Sequence, residues 1–217
     1  MARDNFEKKE DFMDTLKESL DNMGYYIIVY QSQLPKIIYT WEIVDPLEQF
    51  ASLPKLLRKS LKAFILLKYP GRWRYFFSRN YERNRSIKNR CNELRDYINS
   101  LGKEKNIIIL SRSAAGIVSS LVANDLGIKK LICLGYPFRD PSRFVEKKRF
   151  KHLRNLKTPF LILQGERDKY GDINEVTRLY SFAQKTSLVF IDTDHDFEIS
   201  ELQRDKVLTY IKDFISN

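Results

Sequence analysis

Continuous apolar runs recur along the chain and are separated by amphipathic segments. The runs NIIIL, KKLICLG, TPFLILQG and SLVFID show no alternation of apolar and polar positions, and YYIIVY near the start is a similar run. Runs of this kind are typical of strands that are buried on both faces of a parallel sheet. The pattern predicts five strands, expected at 25–30, 106–110, 129–135, 158–165 and 187–192.

The segments between the runs carry apolar residues at helical spacing. Strands that alternate with helices predict an α/β fold, in which helices cover both faces of a mostly parallel sheet and form a three-layer sandwich. In such folds the working residues lie in loops at the carboxyl ends of the strands. The predicted helices are 5–23, 86–101, 114–127, 173–184 and 201–215.

The run NIIIL stops at a turn of small residues, SRSAAG (111–116). Hydrolases built on parallel sheets place a nucleophilic serine in a strand-turn-helix elbow with the pattern G-x-S-x-G. Ser111 and Ala115 replace those glycines and are small, so the elbow at Ser113 approximately meets the steric requirement. The Ala114 N–H would face a developing oxyanion at the positive end of a helix. The alternative is that Ser111 or Ser113 merely caps the helix.

Two later strand ends carry the residue types that would activate such a serine. Asp168 follows the run TPFLILQG, and His195 follows SLVFID. Ser…Asp…His is the chain order known for α/β-hydrolases. His195 would take the serine proton, and Asp168 would hold the imidazole in the required tautomer. The other histidine, His152, lies in a basic stretch and is expected to be an ordinary helix residue.

The loop around His195 also allows a metal-site interpretation. Asp192, Asp194 and Asp196 surround the histidine, but no further His or Cys ligand follows at matching spacing. Asp194 and Asp196 are therefore expected to cap or orient the loop. Neither a metal nor a cofactor is expected.

With these motifs in order, the chain resembles the dienelactone-hydrolase-like α/β-hydrolases, in the small branch related to an NSL-complex subunit and a testis-expressed protein. The resemblance covers about 86–200 and implies an α/β-hydrolase-like fold, with Ser113 as nucleophile, Asp168 as acid and His195 as base. The motifs that carry it are SRSAAG, LICLGYPF (131–138), LKTPFLILQGERDKYG (156–171) and DTDHDF (192–197).

This sequence departs from the branch at two places. Its members usually have a G-[RK]-S-M-G-like elbow, which Arg112 fits but Ser111, Ala114 and Ala115 do not. They also have a strand ending in His-Gly before the first helix, and its loop supplies the second oxyanion donor. No such strand precedes residue 5 here. The sheet is therefore expected to be reduced, and the oxyanion hole to lack one donor.

The net charge of +10 is concentrated in one segment. Residues 53–85 contain ten Lys or Arg and one acid, Glu82, which gives +9. They belong to a predicted helical insert, 44–85, in which aromatic residues alternate with arginines. Three interpretations stay open: a packed cap with a solvated basic face, a lid that touches an anionic membrane surface or acyl substrate, and, least favoured, nucleic-acid binding. Substrate or lid candidates are Tyr136, Trp73 and Phe76.

These features together predict one domain, 1–217, that acts in the cytoplasm. The first residues are charged, unlike a secretory signal, and no segment has the roughly 18 apolar residues that would span a bilayer. The predicted function is a serine esterase or thioesterase that acts on a small-molecule ester or acyl substrate. The alternative is a non-catalytic binding or scaffold protein that contacts a membrane or an acidic partner. A second copy could cover an exposed sheet edge.

Overall fold

A computed structural model of the chain describes residues 11–32, 60, 73–102, 106–141, 149–180 and 185–217, without the side chains of 11, 73–86 and 179–180. The chain forms two compact units, one of Met1–Ser32 with Cys91–Asn217 and the other of Gln33–Arg90. Most of the predicted insert, 44–85, lies outside the described residues, which include only Ser60 and the backbone of 73–85 within it. The features below belong to the first unit unless stated otherwise.

Four strands form one parallel sheet within the described part of the chain. They are β1 (Ile108–Arg112), β2 (Lys130–Leu134), β3 (Phe160–Gly165) and β4 (Thr186–Ile191), and their spatial order is their chain order. All neighbours are parallel, so the four carboxyl ends meet at one edge of the sheet. The predicted runs at 106–110, 129–135, 158–165 and 187–192 each overlap one of these strands, although β1 continues two residues further than predicted, to Arg112.

Helices cover both faces of the sheet, as the three-layer prediction requires. Helices α1 (Asp11–Asp21) and α5 (Glu201–Ser216) bury apolar residues in one cluster with alternate strand positions such as Ile132 and Leu161. Successive strand side chains point to opposite faces, and Cys133 on β2 faces helix α3 (Ala114–Val122). There a Cβ on Gly116 would lie 2.4 Å from the Cys133 sulfur, so helix and strand pack closely. The predicted α/β sandwich is confirmed.

Two local predictions are wrong. Residues 25–30 form no strand, because the run is not buried on both faces as a central strand would be: Tyr25 and Ile27 pack against the core, while Tyr26 is 88% and Val29 50% exposed. The helix predicted from residue 86 begins earlier, as α2 (Trp73–Ser100), because no Gly or Pro interrupts the chain between Gly71 and Gly102. The remaining elements are a 3₁₀-helix, Lys151–Asn155, and α4, Ile173–Tyr180.

Candidate active site

Ser113 lies in a strained turn between β1 and α3. Its backbone has φ 50° and ψ −127°, a conformation that a residue with a side chain rarely adopts. Its N–H donates to the carbonyl of Leu134 at 3.0 Å, which anchors the turn to β2. Ser113 makes no side-chain capping bond, and the Ser111 hydroxyl donates to the carbonyl of Ile132 at 2.9 Å. Ser113 thus occupies the N-cap position of α3, but neither serine side chain caps the helix.

The imidazole of His195 lies between Ser113 and Asp168. Its Nε2 is 2.9 Å from the Ser113 Oγ, and its Nδ1 is 2.8 Å from the Asp168 Oδ2. Because a carboxylate only accepts hydrogen bonds, Nδ1 carries the proton and Nε2 is left to accept from the serine hydroxyl. The structure thus brings together three side chains that the sequence places at three different strand ends.

The carboxylate of Asp168 is fully buried and is held by two further donors. The side-chain amide of Gln164 donates to Oδ2 at 2.9 Å, and the backbone N–H of Tyr170 donates to Oδ1 at 2.8 Å. The same amide donates to the carbonyl of Gly171 at 3.0 Å, which fixes its orientation. Sequence analysis missed Gln164, although a lone polar residue inside the apolar run TPFLILQG was a usable signal.

Two glycines let His195 approach the serine. Strands β1 and β4 lie about 14 Å apart at the usual strand spacing, so the loop after β4 must cross the ends of β3 and β2. At the end of β3, a Cβ on Gly165 would lie 2.6 Å from the carbonyl oxygen of Asp194. After β2, a Cβ on Gly135 would lie 3.2 Å from the His195 Nδ1. Side chains at either position would obstruct this path.

The structure also shows where the remaining predicted residues lie: the oxyanion donor, a loop carboxylate and the substrate candidates. The Ala114 N–H opens helix α3, so no carbonyl of the helix itself is available to it. The carboxylate of Asp194 accepts the N–H of Asp196 at 2.9 Å and shapes the histidine loop. Tyr136 is fully buried and its hydroxyl donates to the carbonyl of Arg149, so it lies in the core and not at a substrate-facing surface. The side chains of the other two substrate candidates, Trp73 and Phe76, lie outside the described residues.

Burial keeps two titratable side chains outside this set neutral. Burial raises the pKa of the Cys133 thiol to about 12, so it remains protonated beneath the turn. Burial lowers the pKa of His152 to about 4, and this ring contacts the Ser120 hydroxyl at 2.8 Å, away from Ser113. Within the described residues there is no cluster of His, Cys, Asp or Glu that could hold a metal ion. Among the same residues, none of the helices is long and apolar enough to cross a bilayer.

Comparison with known proteins places these features in context. A family model described as Alpha/beta hydrolase domain matches residues 59–216. No curated protein matches the chain. An esterase from Pyrococcus furiosus is similar at 14% identity over 52% of this chain and 54% of the esterase, with a TM-score of 0.44. A monoacylglycerol lipase from Paleococcus ferrophilus is similar at 12% identity over 60% of this chain and 75% of the lipase, with a TM-score of 0.48. The chain thus spans just over half of the length of that esterase.

Proposed function

The chain belongs to the alpha/beta hydrolase family, and we propose from this premise that it is a serine hydrolase that cleaves an ester or thioester. One observation carries the proposal. The His195 imidazole is within hydrogen-bond distance of the Ser113 hydroxyl on one side and of the Asp168 carboxylate on the other. This arrangement is the one that makes a serine hydroxyl nucleophilic at neutral pH.

In the proposed reaction, the Ser113 Oγ attacks the carbonyl carbon of the substrate while its proton passes to the His195 Nε2. Asp168 accepts the Nδ1–H throughout and stabilises the imidazolium that forms. Its hydrogen bonds from Gln164 and from the Tyr170 N–H hold the carboxylate in a fixed orientation. His195 then protonates the departing alkoxide or thiolate, which leaves an acyl group on Ser113. Attack of water on this acyl-enzyme, with His195 again as base, regenerates the serine.

The tetrahedral intermediate carries a negative oxygen that needs hydrogen-bond donors. In the proposal one donor is the Ala114 N–H, which lies at the first position of α3, where the helix dipole is positive. One such donor contributes on the order of 3 kcal/mol to the transition state. This chemistry uses only the residues named, without a cofactor.

We extend the proposal to the dienelactone-hydrolase-like branch of the family and to the role of the predicted insert. The elbow SRSAAG, with the motifs that follow it, supports a dienelactone-hydrolase-like member of the family. The predicted insert, 44–85, is supported by the compact unit Gln33–Arg90, in which α2 begins at Trp73. A helical insert with excess positive charge suits an acyl substrate that carries an anionic group or lies at an anionic surface.

Labelling with a fluorophosphonate, which reacts with activated serines, tests the proposal. We expect wild type to be labelled and Ser113→Ala to be unlabelled. Asp168→Asn should slow labelling, by up to about 10⁴-fold, because the imidazole loses its tautomer control. Ser119→Ala is the matched control, because this buried serine of α3 donates to the carbonyl of Gly116 and is outside the proposed machinery. Unlabelled wild type would refute the hydrolase proposal and favour a non-catalytic binding protein.

A further inference from the structure

Arg112 is the last residue of β1 and directly precedes Ser113. Only 8% of its surface is exposed, although the side chain carries a permanent positive charge. A buried arginine is costly unless its N–H groups find acceptors. The position of those acceptors therefore shows what the charge is used for.

Two of the acceptors belong to the loop that carries the proposed base. The Arg112 Nη2 donates to the carbonyl oxygen of His195 at 3.1 Å and to that of Asp196 at 2.5 Å. A planar guanidinium directs its donors along fixed lines, so two consecutive carbonyls are held in one orientation relative to β1. The peptide that carries the His195 side chain is thereby tied to the strand that ends at Ser113.

Backbone strain supports a link between the turn at Ser113 and the loop that carries His195. Ser113 and Phe197, with φ 50° and 55°, are the two non-glycine residues with positive φ among the residues that the structure describes. Arg112 borders both: Ser113 follows it in sequence, and its guanidinium carbon lies 5.9 Å from the centre of the buried Phe197 ring. Strained residues persist where the surrounding contacts determine their conformation.

We propose that Arg112 is a positioning residue that holds the His195 imidazole in line with Ser113 by clamping the backbone of the histidine loop. The inference rests on the proposed function for its chemical meaning, since positioning the base matters only if Ser113 is a nucleophile. The clamp itself is a structural claim that can be tested on His195 directly. A purely packing role would lower stability without altering the tautomer or orientation of the imidazole.

Imidazole nitrogen NMR separates the two roles. The chain has two histidines, so the spectrum contains His195 and one internal reference, His152. In wild type we expect a single His195 tautomer with the proton on Nδ1. In Arg112→Met the released loop should let the tautomers average, with the His152 signals unchanged. Arg149→Met is the matched control, because this arginine is also mostly buried and forms an ion pair with Asp140. It should leave both imidazoles unchanged.

Fluorophosphonate labelling per folded molecule gives the second measurement. We expect Arg112→Met to lower the labelling rate on the order of 100-fold, the effect of a base displaced by about 1 Å. Arg112→Lys should recover part of the rate, since its ammonium keeps the charge but not the planar fork. Arg149→Met should label like wild type.

The outcomes separate this inference from the proposed function. Wild-type His195 spectra in Arg112→Met would overturn the clamp, whatever the labelling shows. Unlabelled wild type together with tautomer averaging in Arg112→Met would refute the hydrolase proposal and support the clamp. If Arg112→Met does not fold, Arg112→Lys carries the test. Partial averaging and an intermediate rate would then support the clamp, and a wild-type spectrum and rate would overturn it.

Discussion

Gly135 gives a sharp test of how the His195 imidazole reaches Ser113. It follows β2 and has φ +65°, and its backbone lies against the hydrogen bond between His195 and Asp168. We expect Gly135→Ala to lower both the free energy of unfolding and the rate of labelling at Ser113. The two effects have separate physical causes, so they can be measured separately.

The stability loss comes from the backbone. An alanine at positive φ brings its Cβ close to the following carbonyl oxygen, which costs about 1–2 kcal/mol. The loss of labelling comes from a contact. The new Cβ would lie 3.2 Å from the His195 Nδ1 and 3.4 Å from the Asp168 Oδ2, so the imidazole must shift by a few tenths of an ångström. If a 1 Å displacement costs about 100-fold, this shift lowers the labelling rate roughly threefold to tenfold.

Gly127→Ala is the matched control. Gly127 has φ +62°, and a Cβ added there would have nothing within 4 Å. The substitution therefore strains the backbone to the same extent without contacting the site. Urea unfolding should show similar losses of stability in the two variants. Fluorophosphonate labelling per folded molecule should be slowed in Gly135→Ala alone. Equal labelling rates in the two variants would refute the conclusion that Gly135 provides clearance for the imidazole.

Two further predictions concern stability. Because the pKa of His152 is about 4 in the folded chain and 6.5 in a free side chain, the unfolded chain binds the proton more tightly. The contribution of His152 to the free energy of unfolding is therefore fully present above pH 6.5 and is lost as the pH drops towards 4. At pH 5 the loss is about 2 kcal/mol. Urea unfolding should show that the free energy of unfolding falls less between pH 7 and pH 5 in His152→Gln than in wild type. An equal fall in the two proteins would contradict a buried neutral ring. Lys130→Met should lower the free energy of unfolding by about 1–2 kcal/mol, because the Lys130 ammonium donates to the carbonyls of Phe214 and Ile215 at the end of α5. Lys206→Met, an exposed lysine on the same helix, should have little effect on the urea midpoint.

The sequence pattern was enough to predict the sheet and the meeting of the three strand ends. Apolar runs mark buried parallel strands, and parallel strands end at a common edge, so the proximity of Ser113, Asp168 and His195 followed from the element order. The chemical roles of these residues stay predictions until labelling is measured. The run at 25–30 misled because strand propensity does not reveal whether a second face will be covered.

The supporting contacts could not be predicted in the same way. Arg112 contacts carbonyls 83 and 84 positions away in the sequence, and Gln164 contacts Asp168 across the turn that follows β3. No local pattern states which carbonyl or carboxylate a long side chain will meet. The roles of Gly135 and Gly165 depend on the path of a loop that begins on another strand. Such contacts are properties of the folded backbone, and only the polar residue inside an apolar strand gave a local signal.

The order of the strands also ties reactivity to the completion of folding. The hydrogen bond between Ser113 and His195 joins residues 82 positions apart, one after the first strand of the sheet and one after the last. A contact of such large sequence separation forms late, because the intervening chain must be ordered before it closes. A partly folded chain in which β1 or β4 has not yet docked would hold a serine without its base. In the proposed mechanism Ser113 is therefore activated once the sheet is assembled, and a partly folded chain is expected to be unreactive towards the fluorophosphonate.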